Sequence, residues 1–292
     1  MKALKKTLLA AALLSTLGLG TSANANVVDL FTDPADATTQ KVIDNTIGGG
    51  GCAVGSGGGA VASGAGCFQE YGPGTNILGD YRDIYVESLS VTAPLAASTS
   101  MYAGGGALNF SASAGTNGYG KVQWDGADAS ADLKTDGLGG LNLIDQLGCG
   151  PGCAQFIADV LIADQAFEYK ITVYDMDGSS ATLKADTLFP VGSSTLSSYH
   201  FDWFNLGDGA YFIDGLPFTI ENTNAGTTAG IDFTNIGALQ FEINTNGTLA
   251  VDLALASITK EPLPEPGALA LVGVGLLAAG AVGRRRKSAA KL

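Results

Sequence analysis

Phe167-Glu168-Tyr169-Lys170-Ile171-Thr172-Val173-Tyr174 decides the fold class. Phe167, Tyr169, Ile171 and Val173 fall on one face and Glu168, Lys170 and Thr172 on the other, the two-residue period of a half-buried β-strand. Strands of this kind build antiparallel sheets with one wet face. Similar runs occupy 84–91, 120–124, 199–204, 239–243 and 249–255, separated by clusters of Gly, Asn and Asp. Asp125-Gly126, Asp177-Gly178 and Asp214-Gly215 each follow a run and signal a tight turn. Helical periodicity is confined to the two chain ends and to two short candidates, 138–147 and 156–163. Many short strands with few helices predict an all-β fold, a β-sandwich of jelly-roll-like form. No fixed-period repeat points to a solenoid or propeller.

Among 292 residues, 46% are hydrophobic and 15% charged, with 15 Lys+Arg against 28 Asp+Glu and a net charge of -13. That balance excludes a disordered acidic tail and a nucleic-acid binder. One histidine in the whole chain removes most metal and acid-base chemistry.

The ends carry topology signals. Residues 1–25 read as a signal peptide for signal peptidase: Lys2, Lys5 and Lys6 start it, an apolar run follows, and Ala23-Asn24-Ala25 supplies small residues for cleavage. Residues 267–283 contain no charge and, at 1.5 Å per residue, reach about 26 Å as a helix, the short end of a membrane span. Arg284, Arg285, Arg286 and Lys287 then hold the tail, 284–292, in the cytoplasm. The expected domain, 26–260, therefore lies outside the cytoplasm. A Pro-rich linker, 261–266, joins it to the span, because closely spaced prolines suit neither helix nor central strand.

Pro264-Glu265-Pro266, a short apolar span and an arginine cluster near the C-terminus, behind a leader peptide, together resemble the PEP-CTERM sorting signal of Gram-negative bacteria. The resemblance covers about the last thirty residues. It implies an exosortase that recognises Pro264, Glu265 and Pro266, an inner-membrane precursor, and a mature protein at the cell surface or outside, linked to exopolysaccharide and biofilm. Leu263-Pro264-Glu265-Pro266-Gly267 also looks like the Gram-positive sortase pentapeptide, with proline where threonine belongs. Proline changes the shape of the scissile residue and ranks that address second.

Four cysteines suit an oxidising compartment. Residues 48–66 hold ten glycines in nineteen positions and are expected to form a flexible surface loop, with Cys52 near its start and Cys67 directly after it. Cys149 and Cys153 bracket Gly150-Pro151-Gly152. Sequence proximity favours Cys52–Cys67 and Cys149–Cys153 among three possible pairings. A four-Cys zinc site needs two close ligand pairs and a redox pair needs Cys-x-x-Cys; neither spacing is present.

Asp175 and Asp177, with Ser179 and Asp186, form the most Ca2+-like cluster, although Ser180 stands where an EF-hand loop needs glycine; a hairpin turn with solvated aspartates is the plainer reading. Asp125, Asp128, Asp132 and Asp136 recur every three to four residues and read as a solvated face or a weak Ca2+ site. His200 lies in an aromatic run without any Gly-x-Ser-x-Gly elbow, so a serine triad is not expected. Trp124, Trp203, Tyr199 and Tyr211 are candidates for stacking on sugars or for the core. The sequence thus predicts a non-enzymatic surface or matrix protein with no cofactor except possible Ca2+; the alternative is a secreted carbohydrate-active hydrolase using paired carboxylates. All 28 acids fall between the basic ends, with seven bases among them, which makes the exported segment far more acidic than the whole chain.

Overall fold

The computed structural model describes residues 26–57, 62–144, 151–186, 195–213, 216–223 and 230–263. The leader, Cys149, the Pro264-Glu265-Pro266 motif, the 267–283 span and the basic tail lie outside the described residues, as do Asp214 and Gly215. Among the described residues no helix is long and apolar enough to cross a membrane.

The alternating stretch forms a strand, and similar stretches assemble into a sandwich of two antiparallel sheets. In chain order the strands are β1 (Asn26–Asp29), β2 (Lys41–Asp44), β3 (Cys52–Val54), β4 (Ala62–Ser63), β5 (Gly66–Tyr71), β6 (Arg82–Val91), β7 (Thr99–Gly104), β8 (Ala107–Ala112), β9 (Thr116–Trp124), β10 (Ala154–Ala163), β11 (Glu168–Asp175), β12 (Ser180–Asp186), β13 (Thr195–His200), β14 (Gly209–Ile213), β15 (Leu216–Thr223), β16 (Ile236–Ile243) and β17 (Asp252–Pro262). The first sheet runs β13-β10-β17-β8-β7-β2-β3, with β1 also paired to β17. The second runs β14-β15-β12-β11-β16-β9-β6-β5-β4. Phe167, Tyr169, Ile171 and Val173 enter the core between them as the alternation requires. Thr172, expected in water, is buried on the other face, where its hydroxyl meets that of Thr182 at 3.0 Å.

Asp177-Gly178 does turn the β11–β12 hairpin, and Ile213 pairs with Leu216 across the third Asp-Gly position. Asp125-Gly126 does not close a hairpin, because β9 is followed by β10 in the opposite sheet and a long segment must connect them. The run at 156–163 is strand, not helix: it lies in β10, where pairing to β13 and β17 on both sides overrides a weak helical pattern. Residues 138–144 are not helical either; Leu138, Leu141 and Leu143 donate their N–H groups to Gly237, Ile236 and Phe233. The aromatic run at 199–204 is split: strand ends at His200, and a 3-10 turn, Phe201–Asn205, buries Phe201, Trp203 and Phe204. Phe201 stacks on Phe233 with centroids 4.3 Å apart, and Phe156 packs on Phe201 at 4.5 Å. β17 begins later than expected, at Asp252, and continues through Glu261 and Pro262, which pair with Gln155 and Ala154.

The glycine-rich stretch is more than a loop. It supplies β3 at the edge of the first sheet and β4 at the edge of the second, and the Cys52–Cys67 disulfide joins β3 to β5. Closing a loop with a sequence separation of 15 limits the unfolded chain by about 3 kcal/mol. Cys153 is also disulfide-bonded.

The least expected core element is ionic. Arg82 and Asp29, both 0% exposed, meet with Nη1 at 2.8 and 2.7 Å from the two carboxylate oxygens. Trp124 Nε1 and the Phe31 N–H also donate to Asp29, at 3.0 and 2.8 Å. Arg82 Nε and Nη2 also donate, to Gln40 Oε1 at 2.8 Å and to the Asp33 carbonyl at 2.6 Å. Burial pushes the Asp29 pKa up, against the pull of the Arg82 charge and the other donors. Removing one member of a buried pair strands the other, so Arg82→Ala should destabilise the fold by about 3–5 kcal/mol in denaturant melts. Replacing both Asp29 and Arg82 by apolar residues should cost less than the sum of the single replacements.

Candidate functional site

Strand register places three polar residues side by side on the outer face of the second sheet. Asp83 on β6 stands opposite Glu70 on β5 and opposite Gln123 on β9. Arg82 and Asp83 are adjacent in sequence, so alternation sends the first into the core and the second outward.

Outward is not into water here, because residues 125–137 fold back over this face. Ala131 packs on Phe68 and Tyr85, with Tyr119 beside them. Lys121 Nζ donates to the Ala131 carbonyl at 2.7 Å. The N–H groups of Asp128 and Ala129 converge on Glu70 Oε2 at 2.9 and 2.8 Å, and the Lys134 N–H reaches Asp125 Oδ2 at 2.8 Å. Gly126 admits the turn: its φ is +80°, and a Cβ would stand 2.5 Å from the Gly137 carbonyl oxygen.

Beneath this cover Asp83 and Asp125 are each 1% exposed and Gln123 is 0% exposed. Carboxylate oxygens of Glu70, Asp83 and Asp128 lie within 4.8 Å of one another. Both Asp83 oxygens, Asp125 Oδ1 and Gln123 Oε1 meet no hydrogen-bond donor of the protein. Burial first, then the charge and carboxyl of Asp125, then the charges of Glu70 and Asp128, push Asp83 up to about 10. Burial likewise raises Asp125 and Asp128. Acceptors gathered without donors can hold a proton or a cation.

The acidic run seen in the sequence is thus not one solvated face. Asp125 is buried and Asp128 half-buried, while Asp132 and Asp136 are exposed. Glu70 and Asp83 escaped sequence reading; alternation places each on a strand face, but only the β5–β6–β9 register makes them neighbours.

The Asp175–Asp177 turn is built differently. Asp175 Oδ1 accepts from the Asp177 and Ser179 N–H groups at 3.2 and 3.0 Å, and Oδ2 accepts from the Asp232 N–H at 3.2 Å. Its acceptors serve the hairpin, while Asp186 pairs with Glu168 at the far end of the same two strands. His200 stacks on Trp203 at 4.6 Å and lies 4.0 Å from Asp202. Trp124, Trp203 and Tyr199 belong to the core. Tyr211 differs: it packs on Phe218 and lines an open groove of about 310 Å³ with Glu168, Lys184 and Asp186.

No protein-family model matches the chain, and no curated protein does. Among solved structures, the chain is similar to PfGH50B at 13% identity and TM-score 0.36, over 55% of this chain and 20% of that one. An exo-β-agarase matches at 12% identity and TM-score 0.35, over 63% and 22% of the two chains. A family 11 carbohydrate-binding module from Clostridium thermocellum, in complex with a β-1,3-1,4-mixed-linked tetrasaccharide, matches at 12% identity and TM-score 0.32, over 68% and 90%. The matched part spans about a fifth of the first two chains. At such values the likeness is a loose overlay of strands, and no residue or ligand carries over.

The raised Asp83 pKa has a definite sign. An unfolded aspartate titrates near 3.9, and the folded carboxyl titrates at about 10. Between those values the folded protein holds a proton that the unfolded chain has released, so stability falls as pH rises through the window. In EDTA, melts at pH 5 and pH 8 should show wild type losing more stability than Asp83→Asn; equal losses would mean that Asp83 is already ionised at pH 5.

Proposed function

We propose that this is an exported cell-surface or extracellular-matrix protein, processed by an exosortase at Pro264-Glu265-Pro266 and associated with exopolysaccharide. One observation carries the reading: the order of motif, uncharged 267–283 run and Arg284-Arg285-Arg286-Lys287 cluster behind an N-terminal leader. In this reading signal peptidase removes residues 1–25, a single helix at 267–283 holds the precursor in the inner membrane, and a jelly-roll-like sandwich faces outward. β17 holds Glu261 and Pro262, expected in the linker, within the sheet, which ends two residues before the motif. A disulfide between strands of opposite sheets suits an oxidising compartment.

The domain acts by binding rather than by turnover. A glycosidase needs two carboxyls flanking a sugar; Asp83 and Asp125 are sealed from a polymer, and of the two acids that line the open groove, Glu168 and Asp186, the first is tied to Lys184 at 3.0 Å. Saccharide would instead meet the groove beside Tyr211, where a ring and charged groups converge. Glu265→Ala should leave an unprocessed, membrane-retained precursor, read by mass spectrometry of the C-terminus; normal processing refutes the sorting. Tyr211→Ala should lower affinity for the cell's own exopolysaccharide by roughly tenfold, the weight of one aromatic contact; unchanged affinity removes this groove from the reading.

A further inference from the structure

We propose that Glu70, Asp83, Gln123, Asp125 and Asp128 form a Ca2+ site that fastens the 125–137 segment to the second sheet. No N–H or hydroxyl of the protein reaches either Asp83 oxygen, Asp125 Oδ1 or Gln123 Oε1, all of them buried, and the Asp83 and Asp125 carboxyls meet only each other. A buried acceptor without a partner costs free energy, and two buried carboxylates side by side cost more. A divalent cation removes both costs at once.

The donor set selects the ion. All five side chains offer oxygen and none offers nitrogen or sulfur ligands, which favours a hard cation over zinc or copper. Two oxygens each about 2.4 Å from a Ca2+ stand at most about 4.8 Å apart, and the carboxylate oxygens of Glu70, Asp83 and Asp128 fall within 4.8 Å of one another. Mg2+ demands a tight octahedron and retains water, so it gains less than Ca2+ from a cluster of side-chain oxygens. The Asp175 turn makes the contrast: there backbone N–H groups already occupy both carboxylate oxygens.

Position gives the ion a role. Glu70 and Asp83 belong to the sheet, Asp128 to the covering segment, and Asp125 to the corner where β9 leaves for it. An ion held by all of them ties segment to sheet as a clip. The charged groups facing Asp83 are Glu70 from β5, Asp125 and Asp128 from the segment, and Lys121 from β9, with Lys134 near Asp128.

The test uses the full chain, purified in detergent and freed of metal with EDTA. CaCl2 titrated at pH 8 should bind at one saturable site and raise Tm by roughly 5–10 °C at a hundredfold excess over Kd. MgCl2 should bind at least tenfold more weakly. Asp83→Asn and Glu70→Gln should each lose tenfold or more in Ca2+ affinity. Asp83→Asn should melt in EDTA at or above wild type, which separates lost binding from lost folding. No Ca2+-dependent shift at 5 mM overturns the site, as does a shift that survives both replacements or one abolished only by Asp175→Asn. Glu265→Ala should bind Ca2+ as wild type does, so failure of the sorting reading leaves this result unaffected.

Discussion

Arg82 and Asp29 are both fully buried in the interior, and each would be ruinous there without the other. Their pairing fixes where β1, β6 and β9 stand, because the carboxylate also accepts from Trp124 at the end of β9 and the guanidinium also donates to the chain at Asp33. The strand that carries Arg82 inward must carry Asp83 outward. β6 is therefore charged on both faces within two residues, and both faces are covered. The interior solves its half with a matched pair; the exterior gathers acids against acids.

That asymmetry makes the 125–137 segment structural rather than decorative. It brings Ala131 to close a small apolar cluster, lends backbone N–H groups to Glu70 and Asp125, and seals Asp83 from solvent. Its apolar contribution is a single alanine against two aromatic rings, so polar contacts carry most of its attachment. In a segment with so few bases, like charge is normally spread over the surface; concentrating it under a lid runs against electrostatics unless something positive or a proton is shared there.

Legibility followed the range of the interactions. Alternation in 167–174 is local, and the strand and its core face were readable from it. The Asp177-Gly178 turn was readable because it joins strands that pair directly. The 156–163 run was misleading, since an alanine-containing apolar stretch fits helix or strand and only its two partners in the first sheet decide. Arg82 and Asp29 are 53 residues apart, and Glu70, Asp83 and Gln123 meet through a register that no single strand encodes. The split of 199–204 into strand and 3-10 turn likewise depends on where Phe233 and Phe156 wait for Phe201.

The place of β17 bears on when this molecule can fold. It pairs with β10 along one side and with β8 and then β1 along the other, so Asn26 near the start of the chain lies opposite Lys260 near its end. The middle of the first sheet stays open until the last strand emerges, and contacts of such long separation form slowly. A chain cut short before Asp252 would present the bare edges of β1, β8 and β10, a template for association with other chains. Severing the chain beyond Leu263 would leave every described strand with its partners.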